Sequence, residues 1–476
     1  MAGTKETPAW VADLEAATPT EAHKLSIPKD DSEARAKWSK WVKDYAALPP
    51  DEVRANPAAS VFPGDVKPGT PHAKNFRYAV DLNMPRWQFT GLYAAPGEKI
   101  DLTFAGPVPK GMKVRVGCHT DSIMHTEKWS RYPSISWSVN VDKQVVEIAN
   151  PFGGLVYIDV PRDKERGGVN MPTYGGYIWL DEKVNSAHPA TLDVSINGGV
   201  QAPVYHIGKT TPAQWAAQLA ATGAPWGEMA GKRFIFSLPI DTLRGVKDPE
   251  GLMRYWDKVL DEAWKFGGWR GERTVPERFV PDRQISAGFL HSGYPFMGQY
   301  LHAKEVVDLD TLKTKGNWGF FHELGHNHEG QAYTFDGYVE VVVNLHTLYL
   351  MKAMCGLSPH QARPGWDVSS ELKKLGDGST DNFARLALYV PLIDTFGFDS
   401  FTKTFQTYWV KDGSRGLDNN EAKVNAFVER YSETVGRNCA DYFASVNLKC
   451  SPAIAAKLSK LPKFMPPAGQ PTPATN

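Results

Sequence analysis

Apolar and polar positions alternate in short runs between residues 76 and 205 of the chain. The runs 99–104, 113–116, 134–141, 144–148, 155–160 and 191–196 are rich in β-branched and aromatic residues. Pro96-Gly97, Gly153-Gly154 and Gly198-Gly199 punctuate them as turns. Closely spaced strands separated by such turns predict a sandwich-like β domain.

The period changes on either side. In residues 31–45, Ala34, Trp38, Trp41, Val42 and Tyr45 recur at helical spacing until Leu48-Pro49-Pro50 stops them. This predicts a helical, otherwise irregular lead-in over 1–75 that packs on something larger. From residue 206 onward helical patterns dominate. Thr211-Pro212 is an N-cap followed by Pro at the first helical position. Further helices are expected at 251–266, 316–329, 338–355, 381–396, 398–409 and 420–434, with one short strand at 234–236. The tail 461–476 is Pro-rich and is expected to be disordered. The pattern therefore predicts an α+β chain: lead-in 1–75, β-sandwich-like domain 76–205, a mainly helical domain 206–460, then the tail.

Composition narrows the function. Hydrophobic residues make up 42%, enough for sizeable cores. Lys+Arg and Asp+Glu both number 53, so the chain lacks the basic excess that a nucleic-acid binder uses to displace phosphate counterions. No apolar stretch is long enough to span a membrane. The start, Met1-Ala2-Gly3-Thr4, carries no apolar signal core; either the protein is cytosolic or a signal has been removed, and the second reading is the expectation. The four cysteines form no Cys-x-x-Cys pair, which argues against a thiolate metal site; Cys439 and Cys450 either close a short loop or stay reduced. The 15 Trp residues are about twice the usual share, and Trp stacks on sugar faces as readily as it fills cores.

The chemistry centres on His322-Glu323-Leu324-Gly325-His326. Four residues apart on a helix, the two imidazoles share a face and can reach one ion, while Glu323 sits beside it as a proton acceptor. A catalytic zinc site takes a third protein ligand. A third His six residues on would be at position 332, which is Ala332, so that pattern fails. A Glu from a following helix is the other arrangement, and Glu340 lies 14 residues beyond His326 in an otherwise apolar helix, with Asn344 on the same face in a supporting position. His328, Glu329 and Asp336 are rivals for the third place. Nitrogen and oxygen ligands make zinc, one ion per chain, the expected metal.

The segment His322-Glu323-Leu324-Gly325-His326-Asn327-His328, followed by Gly337-Tyr338-Val339-Glu340-Val341-Val342-Val343-Asn344, resembles the enhancin-like zinc metallopeptidases, which include bacterial mucinases. Thr90-Gly91-Leu92-Tyr93-Ala94-Ala95-Pro96-Gly97-Glu98, Asn150-Pro151-Phe152-Gly153-Gly154-Leu155-Val156-Tyr157-Ile158 and His291-Ser292-Gly293-Tyr294-Pro295 carry the resemblance upstream. It implies a zincin catalytic domain of the gluzincin type, an endopeptidase acting on mucin-type O-glycoproteins, and a secreted or cell-surface bacterial protein. The chain is taken to be a monomer. Tyr294 and His291 are candidate donors to the developing oxyanion, with Tyr333 and Tyr338 behind them. Trp87, Trp129, Arg131 and Trp137 are candidate glycan contacts. Two other functions remain open: a zinc aminopeptidase, although no Gly-x-Met-Glu-Asn segment is present, and a glycan-binding adhesion protein without catalysis.

Overall fold

The computed structural model describes residues 7–161, 169–180, 190–271, 273, 275–410 and 413–466. The chain forms two compact units. The first comprises Met1–Gly168, Glu182–Asp257 and Thr274–Leu309; the second comprises Val169–Asp181, Lys258–Arg273 and Asp310–Asn476. The fold is α+β, with a β-sandwich toward the N-terminus and a mainly helical C-terminal part. Compactness does not follow the expected boundary at residue 206: residues 206–257 and 274–309 join the first unit, and 169–181 joins the second. No described helix is long and apolar enough to cross a membrane.

In the first unit, a four-stranded and a five-stranded antiparallel sheet enclose one apolar cluster. Ile100, Leu102 and Phe104 reach it from Lys99–Phe104, and Leu192, Val194 and Ile196 from Thr191–Asn197. Val114, Val116, Val156 and Ile158 face them from the five-stranded sheet. The spacing of two follows from the pleat, which sends alternate side chains to one face. Gly154–Val160 is apolar from Leu155 to Ile158 because it is covered on both faces there: Leu155 and Tyr157 enter a second cluster with Trp38, Tyr45, Trp129 and Trp226. Gly153 and Gly154, at φ 65° and 137°, make the turn into this strand.

The lead-in is part of this second cluster. Asp31 caps the helix Ser32–Ala46 by accepting from the Ala34 amide at 3.0 Å, and Trp38 and Tyr45 are its buried stripe. Thr211 and Gln214 form a capping box on Pro212–Ala221.

Beyond residue 206 helices prevail as expected, but the single strand expected at 234–236 belongs to a six-stranded mixed sheet. It includes Trp226–Ala230, Phe234–Pro239, Glu277–Asp282 and Phe296–Gln299. Glu277–Asp282 is buried at every position although four of its six residues are charged or Pro. Its polar side chains are paired inside. Arg278 meets Glu228, and its Nη1 also donates to Ser237 Oγ at 2.8 Å. Asp282 receives Arg131 at 2.7 and 2.9 Å. This internal pairing erased the hydrophobic pattern that would have announced a strand. In the second unit, the helix expected over 381–396 is two, Asn382–Ala387 and Val390–Phe396, with Pro391 in the first turn of the latter. The start of the expected disordered tail is ordered: Lys463 bridges Asn438, and Phe464 packs on Phe396 and Tyr442. Residues 467–476 lie outside the described residues. The four cysteines are free thiols.

His119 is buried between the rings of Phe62 and Trp226, each 4.7 Å away. Burial, against the pull of Asp282, pushes its pKa down from 6.5 to about 4. Between those values the unfolded chain binds a proton that the folded chain refuses, so stability falls as pH drops through this window. The loss attributable to His119 is up to about 3 kcal/mol. Urea unfolding of the protein and of His119→Gln from pH 7 to 4 checks this: the variant is expected to show the shallower decline, and parallel curves would refute the assignment.

Candidate metal centre

The candidate centre lies in the second unit, on two helices, Trp318–His326 and Val339–Cys355. Asn317 caps the first by accepting from the Phe320 amide at 3.0 Å. The helix ends at His326, three residues short of the expected 329. Its buried face is Phe320, Phe321, Leu324 and Gly325. Glu340 falls in the first turn of the second helix, where the helix dipole favours a carboxylate.

His322, His326 and Glu340 converge, their ligand-type atoms all within 4.8 Å of one another. His322 Nε2 is 3.2 Å from one Glu340 oxygen, and His326 Nε2 is 3.6 Å from the other. The opposite ring nitrogens are held from behind. His322 Nδ1 is 2.9 Å from Asn344 Oδ1, which also receives Trp318 Nε1–H at 3.1 Å. An indole can only donate, so this oxygen is the acceptor of both. The Asn344 amide nitrogen donates to the Glu340 carbonyl at 2.6 Å. His326 Nδ1 is 2.6 Å from Glu329 Oε1. With both Nδ1–H protons donated backward, both Nε2 lone pairs face Glu340. Two imidazole nitrogens and a carboxylate, each ring oriented from behind, fit a zinc ion.

The electrostatics agree with a site built for a cation. Burial works against charge on His322, yet the Glu340 and Asn344 hydrogen bonds and the Glu323 carboxylate prevail and raise its pKa. His326 is pushed down to about 4 by burial and by the charge on His322. Glu340 is lowered by its hydrogen bond to His322, against partial burial.

The rivals for the third ligand have other partners. Glu329 is buried behind His326. His328 is buried with Nδ1 2.6 Å from the Leu324 carbonyl and Nε2 2.8 Å from Arg273 Nη1. Asp336 is in the turn between the helices, its amide bonded to Asn420. Glu323 lies on the metal-site helix and is partly exposed.

Tyr294 and His291 belong to the first unit, not the second. The His291 ring contacts Asp121 at 2.7 Å and the Ser292 carbonyl at 2.9 Å. The Tyr294 hydroxyl accepts from Arg278 Nε at 3.3 Å, with Arg86 over its ring. Of the second-unit tyrosines, Tyr333 is buried and stacked on Phe405, and Tyr338 is buried under Arg385.

The four glycan candidates are corrected: they are interior residues. Trp129 is 0% exposed and meets Trp38 edge to face. Trp137 packs on Tyr45, and Trp87 sits among Tyr157, Tyr294 and Arg115. Arg131 is 3% exposed and committed to Asp282 and four backbone carbonyls. None has a face to offer a sugar. Truncating a tryptophan buried like Trp129 to Ala costs about 3–5 kcal/mol of stability.

The model of the Peptidase M60 family, enhancin and enhancin-like, matches residues 198–447, more than half of the chain. The chain belongs to the M60 peptidase family. The N-terminal domain of M60-like peptidases matches residues 69–172. Among curated relatives, TRPM8 channel-associated factor 3 of Rattus norvegicus is 31% identical over 390 residues, covering 79% of this chain and 40% of that protein. The TRPM8 channel-associated factor homolog of Xenopus laevis is 32% identical over 79% and 40%. The chain thus spans about two fifths of the length of these relatives. Among solved structures, the ZmpB metallopeptidase from Clostridium perfringens superposes with a TM-score of 0.62 at 16% identity, covering 82% of each chain. The M60 catalytic domain of Clostridium perfringens ZmpC, in complex with the sialyl T antigen, gives 0.59 at 16% identity, over 81% of this chain and 77% of that one. These structures share the M60 fold with this chain.

Two supports of the M60 site escaped the sequence reading. Trp318 counts as apolar in a hydropathy pattern, and its indole N–H leaves no periodic signature. Glu329 had been weighed as a ligand; its spacing of three from His326 was the available signal for a partner on the next helical turn. Replacing Asn344 by Ala removes the acceptor that aims His322 and is expected to lower zinc affinity by about 10–100-fold. Competition with a chromogenic chelator measures this; an unchanged affinity would show that the amide does not orient the ring.

Proposed function

We propose that this M60 peptidase is a zinc-dependent endopeptidase that cleaves mucin-type O-glycosylated proteins. The observation that carries the catalytic part is the convergence of His322, His326 and Glu340 with Glu323 on the same helix. Zinc, when bound, supplies Lewis-acid chemistry, lowering the pKa of water and polarising a carbonyl. His322 and His326 present Nε2 to the ion, with their tautomers set by Asn344 and Glu329. Glu340 contributes the negative charge. Glu323 takes the proton of the attacking water and passes it to the leaving amine, a role in which a carboxylate supplies about 10²–10⁴ in rate.

The glycoprotein preference is supported by the family resemblance and by the solved ZmpC domain, which is in complex with the sialyl T antigen. On this reading the protein acts outside the cell, secreted or at a bacterial surface. A second reading, an association module without catalysis, is favoured by the curated relatives, which are named as channel-associated factors.

Incubation of the zinc-loaded protein and Glu323→Ala with a mucin, the deglycosylated mucin and an unglycosylated peptide separates these. The expected result is internal cleavage of the glycosylated substrate only, abolished by chelator and reduced by at least about 10²-fold in the variant. Equal cleavage of the bare peptide would remove the glycan requirement, and stepwise release of N-terminal residues would indicate an aminopeptidase. Mucin binding without cleavage would favour the association module.

A further inference from the structure

Two segments of the second unit, Val169–Asp181 and Lys258–Arg273, have chain neighbours on both sides that belong to the first, and the former is a pair of strands. Val169–Thr173 and Gly176–Leu180 pair as an antiparallel hairpin. Its tip is fastened to the end of the metal-site helix. The Gly175 amide donates to the carbonyl of His326 at 2.8 Å, Thr173 bridges Gly330, and Gln331 Nε2 donates to the Thr173 carbonyl at 3.2 Å. The approach is close enough to demand glycine. A Cβ at position 175 would run into the Asn327 side chain and come within 3.0 Å of its Cα.

Between these anchored residues sits Tyr174, 40% exposed. Thr173 is buried and Gly175 is docked, so the fold accounts for both neighbours. It does not account for Tyr174, whose hydroxyl has no hydrogen-bond partner among the described residues. An exposed aromatic with a free polar tip, on a turn bonded to the backbone of a candidate metal ligand, is placed to meet whatever the site binds. Burial of part of the ring, then the charges of Glu329 and Asp336, raise the phenol's pKa above its ordinary 10. The group is therefore a neutral donor at physiological pH.

We infer that the hairpin tip is a wall of the substrate cleft and that Tyr174 contacts the substrate there, its phenol donating to a substrate oxygen. This rests on the peptidase reading of the same site and adds to it a specificity-determining residue far from the metal motif in sequence. The donor acts on the substrate and leaves the ion alone, so Tyr174→Phe keeps the ring and the zinc and loses only the hydrogen bond. Gly175→Ala tests the docking separately, because it displaces the tip without altering Tyr174.

The test compares the zinc-loaded protein with Tyr174→Phe and Gly175→Ala on the cleaved glycoprotein, reading kcat and KM separately alongside zinc content and thermal midpoint. Tyr174→Phe is expected to lower kcat/KM at least about tenfold, the worth of one hydrogen bond, with zinc content and midpoint unchanged. Gly175→Ala is expected to lower it by as much or more, with zinc retained. Wild-type kcat and KM in Tyr174→Phe would overturn the inference while leaving the peptidase reading intact. Loss of zinc from Tyr174→Phe would overturn it as well, assigning the residue to the metal site. A parent protein that neither cleaves nor binds the glycoprotein would overturn both.

Discussion

The helices Trp318–His326 and Val339–Cys355 come together at Gly325, where a Cβ would stand 2.7 Å from Val343 Cγ2 and 3.1 Å from the Val343 carbonyl. Nothing larger than hydrogen fits. Gly325 is one position before His326, and Val343 is one position before Asn344. The contact therefore fixes the separation of the two helices where the imidazoles of one must reach the carboxylate and amide of the other. Gly316 repeats the device at the entrance to the first helix: at φ 66° it ends the preceding helix, and its missing side chain leaves room for Met351 and Phe321. An interior packed at crystal-like density converts such close approaches into fixed distances.

Given that separation, the imidazoles are oriented by unlike means. His322 leans on a neutral amide whose oxygen is shared with the Trp318 indole. His326 leans on Glu329, a carboxyl buried so deeply that burial, then the Glu340 charge, push its pKa well above 4.5. A cation bound in front of His326 would draw charge onto Glu329 through the ring, whereas the amide behind His322 has no charge to change. Glu340 answers to both rings and is the more exposed group. A rigid rear and an open carboxylate side is the arrangement by which a metal site retains its ion and still admits a substrate.

Much of this was legible because local physics wrote it. The strand at Lys99–Phe104 and the helix at Ser32–Ala46 follow single-face periodicities that a chain shows before it folds. The pair of His residues on one helical face, and Glu340 as a charge otherwise stranded in an apolar helix, declared themselves in the same way. What stayed hidden depends on partners distant in sequence. Glu277–Asp282 carries the polarity of a loop, and only Glu228 and Arg131, some 50 and 150 residues away, make it a buried strand. Arg131 and the three tryptophans offered as sugar contacts have the right chemistry for that role; burial alone removes them. The hairpin of Val169–Thr173 and Gly176–Leu180 lies outside the runs that predict strands, and its docking on the metal helix depends on a glycine amide, which leaves no trace in hydropathy.

On the peptidase reading proposed above, two histidine Nε2 atoms and one Glu340 oxygen hold a single zinc ion, with Asn344 and Glu329 behind the rings. Zinc K-edge X-ray absorption on the purified, zinc-loaded protein tests it most directly. The account predicts one zinc per chain with two imidazole nitrogens and oxygen donors only, and the loss of one oxygen-bound protein ligand in Glu340→Ala without loss of either imidazole. A sulfur shell, a third imidazole, or a spectrum unchanged in Glu340→Ala would contradict it.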